Sequence, residues 1–336
     1  MPQKDNQRPD YFFNQQLFPC GICIDSMKTF KNILLVLATG YIFVFFSEHL
    51  FWARIRPEDT LKGWVSAWIA YSLMAYIFLG LVVQFKVKSI WPLFLAGAAF
   101  GWLAEGIVVQ TTYEMLPLSI SFTGLAWHAP ITVWIGWYAI QRSLSTNASF
   151  STLKLAAIIG TCSALWAINW WLEPDGGVSS ISEYAKFSFV TTTLVIIAYW
   201  LANWSASAPF QPKRWVTILI SSLFVLYFIF VTVPAAPIAV IILPILLGLV
   251  YFGLKNFLKK ESDGSLLDQF AASIPAWKFL SLFTLPVINV ILYVIALSLN
   301  LQWQTNWILY LITTPLGFIL FFMSLYKSTR PHLTEA

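Results

Sequence analysis

The chain has 336 residues, of which 58% are apolar and only 10% charged, with a net charge of +5 at pH 7. So apolar a composition excludes a soluble domain of this size, which needs far more polar surface to stay dissolved. The positive charge is no argument for nucleic-acid binding, because it follows from lysines and arginines flanking apolar segments.

Residues 1–30 read as a polar cytoplasmic tail. Residues 1–26 lack a cleavable signal pattern and are expected to be a disordered tail or an upstream start ahead of Met27-Lys28-Thr29-Phe30-Lys31. Cys20-Gly-Ile-Cys23 supplies at most half a tetrahedral zinc site, with no His or Cys nearby to complete it, and reads as free thiols.

Apolar stretches of about twenty residues follow, each long enough to cross roughly 30 Å of hydrocarbon as a helix. They lie near 32–52, 63–84, 91–110, 124–141, 155–172, 186–203, 215–233, 237–254, 279–299 and 307–326. No strand alternation competes with them. The predicted fold class is all-α: a polytopic integral membrane helical bundle of about ten transmembrane helices. A single domain covers 31–330, with site-bearing helices in 31–205 and apolar helices in 213–327.

The first span carries Glu48 and His49 near its far end. The third carries Gly97, Gly101 and Glu105, and the fourth Gly124, His128, Thr132 and Gly136. Both sets run at a spacing of four and so form one stripe each on a helix. Small residues allow close helix contact, so packing ridge on ridge would bring Glu105 towards His128. Pro130 loosens the hydrogen-bond ladder two residues beyond His128, and the 111–123 connection is long enough to fold back over a pocket. In the fifth span Cys162 reads as a small core residue and Asn169 as a polar group near the outer end. Pro234-Ala-Ala-Pro237 punctuates the run between the seventh and eighth spans as a tight turn. The stretch from Lys255 to Lys278 is the longest cytoplasmic connection, and Pro286 with Asn289 and Thr313-Thr314-Pro315 read as proline kinks. Trp102, Trp127, Trp166 and Trp170 surround the polar layer, with core packing favoured over pocket lining.

Charge sets the expected orientation. With alternating spans, 16 of the 20 Lys and Arg fall on the side of the N-terminus, and only Arg54, Arg56, Lys62 and Lys186 on the other. Both termini are therefore expected in the cytoplasm, in a multi-pass protein of the cell membrane.

Helix rise converts position into depth. Glu105 and His128 both come out roughly 9 Å below the outer surface, Asn169 about 8 Å and Glu48–His49 roughly 5 Å. Ionisable side chains are costly in hydrocarbon, so Glu105 and His128 are expected to face protein or a water-filled cavity. They are the candidate catalytic or proton-handling pair. Glu48, His49, Asn169, Thr132, Glu114 and Trp127 are candidate binding residues. Should a metal be held, Glu48, His49, Glu105 and His128 are its candidate ligands. The sequence names no cofactor.

No phosphate loop, His-Glu-x-x-His or Gly-x-Ser-x-Gly is present. Three functions fit the polar layer. The leading one is a proton- or cation-coupled transporter, with Glu105 holding the ion and His128 tuning it. A continuous polar route below Glu105 is not visible in the third and fourth spans, which counts against it. The second is a membrane-embedded enzyme acting on a lipid or isoprenoid substrate. The third is a non-catalytic assembly subunit whose polar layer fixes packing. The implied partners are the lipid bilayer and a small-molecule, ion or lipid ligand, with no nucleic acid.

Overall fold

The computed structural model describes residues 21–146, 148, 150–173, 176–259, 264–301 and 306–330. Among the described residues there are ten helices long and apolar enough to cross a membrane. They are α1 (Ser26–Trp52), α2 (Leu61–Gln84), α3 (Ile90–Val108), α4 (Leu118–Ser145), α5 (Ser151–Leu172), α6 (Ile181–Ala206), α7 (Arg214–Ala235), α8 (Ala239–Leu258), α9 (Ala276–Ser298) and α10 (Asn306–Thr329). No strand occurs among the described residues.

The bundle is organised around α3. In its apolar stretch 83% of residues are buried, against 11% in α7. Helix α3 lies along α4, with α8 and α10 on another of its faces; α1 packs on α2 and α6, and α5 pairs with α9. The closest approaches are made where a side chain is missing. A Cβ on Gly97 would meet the Ala129 Cα at 3.0 Å, and one on Gly101 the Gly124 carbonyl oxygen at 2.5 Å. The expected ridge-on-ridge packing of α3 and α4 is therefore present, and it is tight because two glycines face each other. Gly136, at the far end of the α4 stripe, instead receives the Phe46 ring of α1 at 2.5 Å. Gly160 lets α5 approach the Leu285 carbonyl oxygen of α9, again 2.5 Å from a hypothetical Cβ.

Four helices contain widened turns with i→i+5 hydrogen bonds: Phe45–His49 in α1, Ala104–Val108 in α3, Gly124–Ala139 in α4 and Phe228–Thr232 in α7. Pro130 falls inside the α4 stretch. A proline has no N–H to give and crowds the preceding turn, so the wide geometry extends the kink expected there.

Helix ends are satisfied locally. Thr60 accepts from the Gly63 amide at the start of α2, and Ser180 with Glu183 forms a reciprocal cap on α6. The Lys278 ammonium is buried and donates to the carbonyls of Leu144 (3.1 Å), Ser143 (3.4 Å) and Thr146 at the end of α4. A cation there meets the negative end of the helix dipole.

Several local expectations change. The helix leading into α1 begins at Gly21, so the last part of the segment read as a polar tail is helical; residues 1–20, including Cys20, lie outside the described residues. Cys162 is exposed rather than a core residue. The buried stripe of α5 runs through Ala156, Ile159, Gly160, Ser163, Ala164 and Ala167, and Cys162 falls off it. Helix α9 breaks at Leu282–Phe283 and resumes at Thr284, just before Pro286, whereas α10 continues through Pro315. The tight turn between α7 and α8 falls at 236–238, so Pro237 lies in it while Pro234 sits in the last helical turn of α7.

Candidate functional site

Glu105 and His128 meet. The His128 Nε2 lies 2.7 Å from Glu105 Oε1, and the imidazole is 2% exposed. The opposite nitrogen, Nδ1, is 3.0 Å from the Ser47 hydroxyl, which in turn is 3.0 Å from the Thr132 hydroxyl. The second oxygen of Glu105 accepts from the Thr111 hydroxyl. Three helices and one loop thus close on a single chain of polar atoms: Thr132, Ser47, His128, Glu105 and Thr111.

The backbone explains this convergence. Glu105 follows Gly97 and Gly101 on the α3 face pressed against α4, so its side chain leaves α3 towards His128. Ser47 and Glu105 sit in i→i+5 turns, and His128 and Thr132 lie within the longer wide stretch of α4. Such turns concentrate at functional sites because they re-aim side chains that a regular helix would point elsewhere. The 109–117 connection does fold back. Besides Thr111, Tyr113 donates to the Gly106 carbonyl (2.8 Å), and Ser119 to that of Thr112 (2.8 Å). Burial pushes the Tyr113 phenol up to about 12.

The hydrogen-bond inventory of the imidazole decides what the site can do. In the neutral ring the Nε2–H donates to the carboxylate, and Nδ1 accepts from Ser47. In the imidazolium both nitrogens donate, and the Ser47 hydroxyl rotates to accept. Either protonation state keeps both ring nitrogens paired, so a proton can be taken up without leaving a buried polar atom unsatisfied.

A second pair lies beside the first. Glu48 Oε1 accepts from the Tyr71 hydroxyl of α2 at 2.7 Å, and the fields of His128 and Glu105 both reach the Glu48 carboxylate. Glu48 also faces a cavity of ≈ 190 Å³ between the end of α1, the 53–60 loop and the start of α2. The cavity is lined also by His49, Trp52, Arg56, Asp59 and Trp64.

Other candidates are placed differently. The His49 ring turns away from His128 into an aromatic cage of Trp64 (5.0 Å), Phe187 (5.6 Å), Tyr41 (6.1 Å) and Phe45 (6.4 Å). The four candidate metal ligands therefore do not converge. Among the described residues no three His, Cys, Asp or Glu side chains group as a metal site. Glu114 is exposed in the loop, at the end of the turn that Thr111 begins. Asn169 is buried where α5 ends, in the layer of Trp166 and Trp170. Trp127 donates to the Phe46 carbonyl (2.9 Å) and packs on Phe51 (4.9 Å) and Trp166 (5.0 Å), so it forms a wall behind α1. Trp102 stands apart from these indoles, fully buried against Phe321 (5.2 Å).

Ser47, Thr111 and Tyr71 belong to the cluster and were not singled out from the sequence. Thr111 and Ser47 each neighbour a charged residue or its turn, yet hydroxyls occur at most depths of these spans and carry no charge to mark them. The depth arithmetic applied to Glu105 would also have put Tyr71 about 15 Å from the start of α2.

Helix α7 touches the site from outside the bundle. Its Thr232 donates to the Ile107 carbonyl (2.8 Å) and Tyr227 to that of Val108 (3.3 Å), both in the turn that carries Glu105. No protein-family model, curated protein or solved structure matches this chain.

Proposed function

We propose that this multi-pass protein is a proton-coupled carrier of a small solute, with the Glu105–His128 pair as its proton-holding centre. The observation that carries this reading is the double satisfaction of His128 between Glu105 and the reversible hydroxyl of Ser47. A structural clasp needs one protonation state; a group that accepts and releases protons needs partners in both. The Glu48–Tyr71 pair, within electrostatic reach of His128 and open to the cavity, supplies a relay from that cavity to the buried pair. By the bias of lysine and arginine across the loops, the cavity opens away from the cytoplasm, both termini lie inside, and the protein resides in the cell membrane.

The test uses the full chain in liposomes. A pH-sensitive dye reports proton movement under an imposed potential, and infrared difference spectra report carboxyl protonation between about pH 4 and 9. The expected result is a titrating carboxyl band and proton flux, both lost in Glu105→Gln. Identical spectra and identical flux for the two proteins would overturn the proposal.

One observation favours a second reading, a membrane-embedded enzyme. Ser47, His128 and Glu105 lie in the order nucleophile, base and orienting carboxylate. Against it, the Ser47 hydroxyl is also bonded to Thr132, and Ser47 does not line the cavity. Labelling by a fluorophosphonate, abolished in Ser47→Ala, is the result this reading requires.

A further inference from the structure

The floor of the cavity at the end of α1 holds two acceptors with nothing to accept from. The Glu48 carboxylate uses only Oε1, towards Tyr71; Oε2 has no partner among the described residues. The His49 side chain is 7% exposed and lines the cavity, and its contacts are ring contacts alone, with no hydrogen bond among the described residues. Neither side chain is among the enclosed polar atoms without a partner, so both present their polar atoms to the cavity, where water or a ligand pairs with them.

The other lining groups narrow what that something is. The guanidinium of Arg56 is held by two carboxylates, although its buried Nε has no hydrogen-bond partner among the described residues. It donates to Asp59 Oδ1 (2.9 Å), lies 3.5 Å from Glu58 and stacks 4.5 Å above the Trp52 ring. Asp59 is further held by the Arg56 amide at 3.0 Å. Arg56 is thus paired with Asp59 and Glu58, and Arg54, which also lines the cavity, has contacts of its own, whereas Glu48 has no ion-pair partner among the described residues. Trp64 adds an aromatic surface beside His49. A carboxylate oxygen, an imidazole acceptor and an indole converge on the preferences of one kind of group, an organic ammonium with several N–H donors and a cation's affinity for aromatic rings. At ≈ 190 Å³ the space is below the ~300–1,000 Å³ of pockets for drug-sized ligands, so the molecule is small.

We propose that this cavity binds a small primary ammonium compound, with Glu48 and His49 as its hydrogen-bond acceptors and Trp64 as an aromatic wall. The assignment of binding stands on the cavity alone; that the amine is the solute moved rests on the carrier reading above. The same chemistry has two sources, a free amine or the ethanolamine headgroup of a phospholipid.

The experiment measures tryptophan fluorescence of the full chain in nanodiscs of phosphatidylglycerol, titrated with n-propylammonium. Propionamide serves as the neutral comparison and Na⁺ as the inorganic one. Saturable binding of propylammonium is expected, with propionamide and Na⁺ at least about tenfold weaker, because the charge-assisted contact to Glu48 is missing or misplaced. Glu48→Gln and His49→Leu are expected to weaken propylammonium by about tenfold or more. Proton flux of the unaltered protein in liposomes is measured separately: saturable propylammonium binding without flux overturns the carrier reading alone, and flux without saturable binding overturns this one alone. Should a variant not fold, the comparison of charged and neutral probes on the unaltered protein still decides. No saturable binding, or equal binding of propionamide, overturns the proposal. Addition of phosphatidylethanolamine to the discs separates the sources: competition with propylammonium assigns the lipid headgroup, and its absence the free amine.

Discussion

Gly101 and Gly124 face each other so closely that a methyl on the first would sit 2.5 Å from the carbonyl oxygen of the second. The approach of α3 to α4, and with it the contact of Glu105 with His128, depends on that missing carbon. Gly101→Ala is expected to push the two helices apart and cost ~1–3 kcal/mol, the range for overpacking a close contact. A fall in Tm in detergent checks it, with Gly80→Ala as the control. A Cβ at Gly80 meets nothing within 4 Å, so that substitution should leave Tm unchanged or raise it slightly.

Removing one partner of a buried pair costs more than removing both. His128→Ala is expected to destabilise the fold by ~3–5 kcal/mol, because Glu105 is left without its partner at Oε1. Glu105→Leu combined with His128→Leu should recover much of that loss. Thermal unfolding of Glu105→Leu, of His128→Leu and of their combination gives the coupling, and strict additivity would contradict a direct interaction.

Lys278 holds the carbonyls that end α4. Lys278→Met keeps the apolar stem and removes the donor to the Leu144 carbonyl, while that of Ser143 keeps the Ser151 hydroxyl at 3.1 Å. The expected cost is ~1–2 kcal/mol, with faster proteolysis after α4 as the local signature. If cleavage there is unchanged, the ammonium is not what fastens that end.

The Tyr113 phenol, raised from 10.0 to about 12 in the folded chain, makes an alkaline prediction. Above pH 10 the unfolded chain loses this proton and the folded chain keeps it, so folding stability falls as pH rises from 10 to about 12. Tyr113→Phe should remove that contribution and flatten the Tm profile in this window relative to the unaltered protein. Equal slopes would show that the phenol titrates alike in both states.

The polar ladder of α9 is tested by Asn289→Leu. Asn289 accepts from Tyr184 (2.7 Å) and donates to Ser188 (3.1 Å), all buried between α6 and α9. Its loss should cost ~1–3 kcal/mol by stranding the Tyr184 hydroxyl, read as a lower Tm. Asn289→Asp, which keeps an acceptor, should be milder at low pH.

Some of this was legible in the sequence for a clear physical reason. Apolar run lengths gave ten spans because the thickness of hydrocarbon fixes how long a crossing helix must be. Glu105 and His128 were legible as a pair because each lies on a ridge of small residues, and ridges without side chains find each other. The facing of Glu48 and His49 was not legible, since consecutive helical residues point about 100° apart and adjacency in sequence then separates them in space. The widened turns were equally hidden. A spacing of four fits a regular and a widened helix alike, and Pro130 signals a disturbance without giving its form. Glu114 attracted notice through its charge, but a loop turn fixes direction by backbone geometry that composition does not record.

Helix α7 has one last implication. Only 11% of its apolar stretch is covered by the rest of the bundle. Yet Thr232 and Tyr227 fasten it to the carbonyls of Ile107 and Val108, two and three residues beyond Glu105. Any displacement of α7 is thereby passed through those two carbonyls to the turn on which the Glu105 carboxylate hangs.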